Sequence, residues 1–321
     1  GRPAGWITMT SGAIPPAGVG EAAADVLAFD IGGANIKVAD GRGWAHSEPF
    51  ELWLRRAELP QTLRRMLRGR PCRVVVTMTG EIADCYGSRR EGVADIVAAV
   101  EEAVGPDVSV GIYLVDGSIV SPEEAIRRPL DAAASNWHAV ARLAAAAAGG
   151  GRGLVIDVGS TTTDVVPLRD GAVAATARDD VGRMAAGELV YTGVERTPVA
   201  AVVRALPWRG RMRPVASERF ADSRDVWLLL GGLPEDEAVR GTADGGPATR
   251  AAARRRLARM LLADPEDVTE EEAVALARRC AAAQARLVAR ALLRVATAQG
   301  GVPRSVVLSG HGECLARLAL D

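Results

Sequence analysis

The sequence predicts an α/β protein of two domains. Three observations carry that expectation. Strand-like and helix-like segments alternate, one strand–turn–strand segment occurs twice in related form, and 321 residues exceed what one ordinary core needs. The two copies read DVLAFDIGGANIKVAD and RGLVIDVGSTTTDVVP, and they superimpose Asp30 on Asp157, Gly32 on Gly159, Gly33 on Ser160 and Lys37 on Asp164.

Residues 1–24 are rich in Gly, Pro and Ala and have no periodicity. They read as a disordered leader rather than a signal peptide, because no compact apolar run follows Arg2. Residues 26–31 form an apolar strand ended by Gly32-Gly33, and 35–39 return as the second strand of a hairpin. A helix closes at 64–68, RVVVTMT at 73–79 is a buried strand, 91–104 has helical spacing, and 108–115 is again strand. A helix over 131–148 runs into Gly149-Gly150-Gly151, the expected joint between a domain 25–150 and a domain 151–321. The second domain opens as the first does, with strands at 154–158, 163–168 and 172–176. Glu188 and Tyr191 would share one face of a short helix. Residues 247–298 are mostly helical with a break at Asp264-Pro265, and 304–308 form a last strand entering Gly310-His311-Gly312-Glu313.

Composition narrows the function classes. Apolar residues at 48% and charged residues at 25% are those of a soluble globular protein, and a net charge of −1 supplies no field for nucleic acid or an acidic membrane. No run is long and apolar enough to span a bilayer. Cys72, Cys85, Cys280 and Cys314 are far apart with no Cys-x-x-Cys pair, which fits a reducing cytoplasm. Small-molecule partners are therefore expected, and a homo-oligomer is compatible with all of this. Lys37 is the one lysine in a chain whose other basic residues are arginine. A compact ammonium set against a phosphate oxygen in a tight loop is a task guanidinium does poorly.

An aspartate at a strand end, followed by a Gly turn into a second strand, offers a carboxylate and several N–H donors at one sheet edge. Ser160, Thr161 and Thr162 add hydroxyls, Lys37 adds charge, and Asp30 and Asp157 are candidates to hold Mg²⁺ on a diphosphate. The duplicated pattern resembles the actin, sugar-kinase and heat-shock chaperone ATPase superfamily, whose two ribonuclease-H-like domains each carry such a hairpin and enclose a ligand cleft. Its third signature, a Gly-rich turn that meets adenosine, resembles VVLSGHGE at 306–313, with Gly310 and Gly312. In kinase relatives the chain continues past that turn, so the resemblance implies a truncation after Asp321.

Within the superfamily, TMTGEIADC at 77–85, SRREGV at 88–93, DIGGANIK, Ala134-Ser135-Asn136-Trp137 and GELVYTG at 187–193 resemble the methanofuran-biosynthesis synthase family. Its bacterial members are described as tetrahydromethanopterin-linked one-carbon-transfer pathway proteins, related to the hydantoinase and oxoprolinase group. The resemblance implies a transferase that joins an aminomethylfuran methyl diphosphate to the phenol oxygen of γ-glutamyltyramine or tyrosine and releases diphosphate without consuming ATP. The phosphate-binding set would be Gly32, Gly33, Asn35, Lys37, Gly159, Ser160, Thr161, Thr162, Gly310 and Gly312, with the diphosphate and Mg²⁺ in the cleft. Either Glu81 or Asp84 would accept the phenol proton, and Arg89 and Arg90 would meet diphosphate or the glutamyl carboxylate. A competing expectation makes Glu81 and Asp84 caps of the following helix and Arg89 and Arg90 surface pairs. Two further classes remain: an ATP-dependent kinase or oxoprolinase-like amidohydrolase, and a nucleotide-gated scaffold.

Overall fold

The computed structural model describes residues 6–8, 26–68 and 71–321. In chain order the strands are β1 (Trp6–Thr8), β2 (Val26–Ile31), β3 (Asn35–Ala39), β4 (Ala45–Pro49), β5 (Arg73–Met78), β6 (Ser109–Tyr113) and β7 (Ile119–Val120). They continue as β8 (Arg152–Val158), β9 (Thr163–Arg169), β10 (Ala172–Val173), β11 (Leu189–Val190), β12 (Ala205–Trp208), β13 (Arg211–Pro214) and β14 (Ser305–Ser309). The chain forms two compact units. One runs through Ala146 and takes in Ala175–Arg183; the other comprises β1, Ala147–Ala174 and Met184–Asp321. The boundary is therefore more than a single cut at the Gly149–Gly151 joint.

The N-terminal unit holds a sheet in the order β4-β3-β2-β5-β6-β7. β2 pairs antiparallel with β3 and parallel with β5, and β5 pairs parallel with β6. Leu27, Phe29 and Ile31 of β2 and Val74, Val76 and Met78 of β5 are buried, as the period of two in both strands requires. They pack with Val93, Ile96, Val97 and Val100 on the inner face of the helix Arg89–Val104. The C-terminal unit repeats this plan in the order β1-β14-β8-β9-β10, with β8 antiparallel to β9 and parallel to β14. Its core joins Leu154, Ile156 and Val165 to Leu276, Val288 and Leu292 of the helix Glu270–Ala298. Among the described residues, no helix is long and apolar enough to cross a membrane.

Three expectations need correction. Trp6–Thr8, placed in the structureless leader, is a strand pairing parallel with β14, where it occupies the position that β6 occupies beside β5; the rest of that segment lies outside the described residues. The helix expected over 131–148 is two pieces, Pro129–Ala132 and Asn136–Ala148, separated by a turn in which Ala134 has φ +49°. The helix expected to align Glu188 with Tyr191 is instead β11, paired with β9, so Glu188 is buried and Tyr191 is 59% exposed.

Candidate functional site

In the N-terminal unit the first hairpin and the TMTGEIADC segment stand at the carboxyl ends of parallel neighbours. Register sets Asp30 opposite Lys37 on one side and Thr77 on the other. Lys37 Nζ donates to Asp30 Oδ2 at 3.0 Å, and Thr77 Oγ1 donates to Asp30 Oδ1 at 3.2 Å. The lysine side chain is 61% exposed, so this ammonium remains accessible to a ligand. The turn between the strands is drawn tight by Gly32 N–H donating to the Asn35 carbonyl at 3.0 Å. A Cβ on Gly32 would lie 2.9 Å from that carbonyl oxygen and 3.4 Å from Thr79 Oγ1, whereas Gly33 faces open space. The Gly33 and Ala34 carbonyls accept from the Leu52 and Phe50 amides, which fixes the turn from behind.

β5 ends in a single helical turn, Gly80–Ile82. Thr79 N–H donates to the Ile31 carbonyl at 2.9 Å, and Gly80 sits against the Gly32 backbone with no room for a side chain. Glu81 is fully buried, and neither carboxyl oxygen has a hydrogen-bond partner. Burial pushes its carboxyl up to about 7; nearby backbone amides of Glu81 and Ala134 and the Arg89 guanidinium pull the other way, and Asp180 adds to the rise. Gly92 lets the helix Arg89–Val104 pack directly on the Glu81 backbone, since a Cβ there would lie 2.3 Å from the Glu81 carbonyl oxygen.

The two carboxyl candidates thus separate: Asp84 is exposed while Glu81 is buried. Neither caps the helix, whose N-cap is Ser88 accepting from Glu91 N–H at 3.2 Å. Arg89 donates to Asp180 at 2.6 Å in a half-buried pair, while Arg90 is exposed.

Beside Glu81 runs the turn that breaks the expected helix. Ser135 N–H donates to the Met78 carbonyl at 3.3 Å, while the Ser135 hydroxyl and the Trp137 indole N–H are buried with no partner. Arg183 lies 4.0 Å over the Trp137 ring and is itself buried. A carboxyl, a hydroxyl and an indole N–H are thus buried without hydrogen-bond partners within one stretch of the N-terminal unit. Residue spacing could not reveal the parts that Ser135 and Arg183 play, although ASNW at 134–137 was already conspicuous.

In the C-terminal unit the second hairpin places Asp157 opposite Asp164, where the first has an ion pair. Gly159 N–H donates to the Thr162 carbonyl at 2.9 Å. The Gly159 carbonyl accepts from Val194 N–H, and the Ser160 carbonyl accepts from both Glu195 and Arg196 N–H. With these carbonyls turned back into the protein, the loop offers the Ser160, Thr161 and Thr162 hydroxyls; the first two lie 3.5 Å apart. Gly193 is pressed onto this loop, a Cβ on it falling 2.5 Å from the Gly159 carbonyl oxygen. Its own carbonyl accepts from Thr197, Ser223 and Gln284, and Gln284 accepts in turn from Trp227 Nε1 at 3.0 Å. This buried brace escaped sequence reasoning; its one trace is a glutamine within the alanine-rich face of a long helix.

The third Gly-rich turn belongs to the same arrangement. Gly310 has φ +81°, and a Cβ on it would fall 2.2 Å from the Val158 carbonyl oxygen and 2.9 Å from Asp157 Oδ1. Gly312 N–H donates to that Val158 carbonyl at 3.0 Å. His311 between them pairs with Glu195 at 3.1 Å rather than standing alone in solvent.

Among the described residues no group of three or more His, Cys, Asp or Glu side chains is placed to hold a metal. Of the two carboxylates expected to hold a metal, Asp30 accepts from Lys37 and Thr77, while Asp157 stands opposite a second carboxylate, Asp164.

Comparison with known proteins agrees with this architecture. The hydantoinase/oxoprolinase family model matches residues 73–319. The chain is 33% identical over 299 residues, 92% of its length and 88% of the relative's, to the (4-{4-[2-(gamma-L-glutamylamino)ethyl]phenoxymethyl}furan-2-yl)methanamine synthase of Methanocaldococcus jannaschii. It is 29% identical over 168 residues, 52% of its length and 74% of the relative's, to the protein of the same name from Methanococcus vannielii. A nucleotide-free acetone carboxylase structure superposes with a TM-score of 0.39 at 13% identity, covering 77% of this chain and 43% of that one, too loosely to bear on chemistry. The chain belongs to the hydantoinase/oxoprolinase family and, within it, to the family of these furanylmethanamine synthases.

Proposed function

We propose that the chain is a transferase that joins an aminomethylfuran methyl diphosphate to the phenol oxygen of γ-glutamyltyramine or tyrosine. The new bond is between the phenol oxygen and the furan methylene carbon. The bond from that carbon to the diphosphate oxygen breaks, and diphosphate leaves with the electron pair. The observation that carries the proposal is Glu81, a fully buried carboxyl with no partner at the end of β5. A phenol with an ordinary pKa near ~10 must lose its proton as the ether forms, and a base that titrates near neutrality is matched to that task. With its pKa raised by burial to about 7, Glu81 is substantially ionised at neutral pH and can still take the proton.

The furan ring stabilises positive charge on the departing methylene, so the protein's work lies in holding the leaving group and keeping water out. Lys37, held by Asp30, supplies a cation at the Gly32–Gly33 turn. The Ser160, Thr161 and Thr162 hydroxyls supply donors in the other unit, where Asp157 and Asp164 would hold Mg²⁺; bound there, the ion would offset negative charge on a diphosphate. Arg89 is committed to Asp180, which leaves the exposed Arg90 as the guanidinium available to a glutamyl carboxylate.

The test is formation of the aryl ether by purified protein, followed by mass spectrometry. Glu81→Gln should lower kcat by roughly 10²–10³ and abolish the rise in rate as pH passes through neutrality, with folding intact. Unchanged turnover in Glu81→Gln would remove Glu81 from the mechanism. Thermal-shift titration separates the reaction classes. Mg²⁺ with diphosphate should stabilise the chain at least as well as Mg²⁺ with ATP, whereas a strong preference for ATP would favour a kinase or ATP-dependent amidohydrolase.

A further inference from the structure

We infer that the C-terminal unit carries a second binding site, for a small phosphoryl anion, at the end of its sheet remote from the hairpin loop. A cavity of about 630 Å³ is lined by Gly150, Gly151, Arg152, Arg169, Asp170 and Arg304. Sheet register brings the three arginines together. Arg152 opens β8 and stands directly opposite Arg169, the last residue of β9. Arg304 immediately precedes β14, and its amide donates to the Arg152 carbonyl at 2.7 Å.

Like charges placed directly across an antiparallel pair repel, so this juxtaposition costs stability unless something neutralises it. Asp170 is the one carboxylate in the lining to offset it. None of the three arginines forms an ion pair there. Arg169 donates to the Gln299 carbonyl at 3.2 Å, and Arg152 Nε is buried with no partner at all. Asp170, the cavity's one carboxylate, accepts from the Gly151 amide at 2.9 Å. Gly151, with φ +89°, leaves room for the Arg304 stem, which a Cβ would meet at 3.2 Å. The cavity lining therefore sets three guanidiniums, those of Arg169 and Arg304 exposed, against one carboxylate, a surplus that a ligand of about two negative charges would balance.

Three guanidiniums on three adjacent strand ends suit a tetrahedral phosphoryl group better than a carboxylate, whose two oxygens satisfy one planar fork. Arg152 and Asp157 are five residues apart along β8, about 17 Å in an extended strand, so one anion cannot serve both places.

Hydrogen-exchange mass spectrometry of the full chain with inorganic diphosphate tests the proposal. Slower exchange is expected in peptides covering 149–152, 169–171 and 301–305. In Arg152→Gln/Arg304→Gln the diphosphate concentration for half-protection there should rise at least about tenfold, while the response at 157–162 stays as in the wild type. Arg304→Gln alone alters an exposed side chain, so if the double variant does not fold, the single variant decides by the same shift in smaller measure. Absence of protection in the wild type, or protection unchanged in the variants, overturns the site. Equal protection by citrate at matched concentration overturns its phosphoryl character.

Discussion

Glu81 owes its reactivity to what surrounds it and hardly at all to its position in sequence. Asp84, three residues on, is the same chemical group in water. The sequence placed both in one loop after β5 and had no means of ranking them, because which one is buried is decided by tertiary packing, the helix Arg89–Val104 lying on the Glu81 backbone at Gly92. Lys37 was more legible: as the one lysine in an arginine-rich chain it pointed to the first hairpin, where it pairs with Asp30. The buried carboxyl also sets a pH dependence. Its folded-state pKa is raised from 4.5 to about 7, so the neutral form is the favoured one in the fold. The contribution is fully present below the unfolded value and is lost as pH rises through about 7. Complete ionisation should then cost on the order of 3 kcal/mol. Glu81→Gln removes that titration, so its melting temperature should gain on the wild type as pH rises from about 4.5 to about 7, with no gain below that window and no further gain above it. Parallel melting curves across this range would show that the carboxyl is hydrated after all.

At the scale of elements, glycines decide how closely the turns approach the strands beneath them. Gly92→Ala would drive a methyl group into the Glu81 backbone, 2.3 Å from its carbonyl oxygen, and backbone there cannot yield as a flexible side chain would. Expected are a loss of about 2–4 kcal/mol in denaturant unfolding and a fall in the pKa that governs the rate profile, because a displaced turn admits water to Glu81. Destabilisation without a shifted profile would separate the packing of this helix from the chemistry. In the other unit Gln284→Leu strips one of three donors from the Gly193 carbonyl and orphans Trp227 Nε1. It should cost about 2–4 kcal/mol and weaken diphosphate binding at the Ser160 loop, whose carbonyls are held by the 194–196 amides. The duplicated hairpins were readable because an apolar strand, an acidic end and a Gly turn are local signals, and register confirmed Asp30 and Asp157 at matching positions. The helix over 131–148 and the pairing at 189–190 were misread because tertiary partners decide them: the 134–135 turn follows the carbonyl of Met78, and β11 exists by pairing with β9.

For the whole molecule, the duplication means two cores of similar design, each with its own central sheet and covering helices. Two-state unfolding is then not expected, and calorimetry should resolve two transitions. Arg256 supplies a way to assign them. It is fully buried in the C-terminal unit, donating to Asp225 at 2.8 Å and to Asp244 at 2.9 Å. Burial raises the Asp225 pKa despite the arginine's pull, so this carboxylate depends on its partner to stay ionised. Arg256→Met leaves a buried acid without a cation, a change that typically costs about 3–5 kcal/mol, and it should lower one transition by on the order of 10 °C. Gly92→Ala should lower the other. Removing the charge but keeping the acceptor in Arg256→Met/Asp225→Asn should recover much of the first loss, since the penalty lies in the orphaned carboxylate and the Asp222 N–H keeps its capping partner. If each single variant lowered both transitions equally, the two cores would unfold as one cooperative block, and the sequence repeat would mark descent without energetic independence.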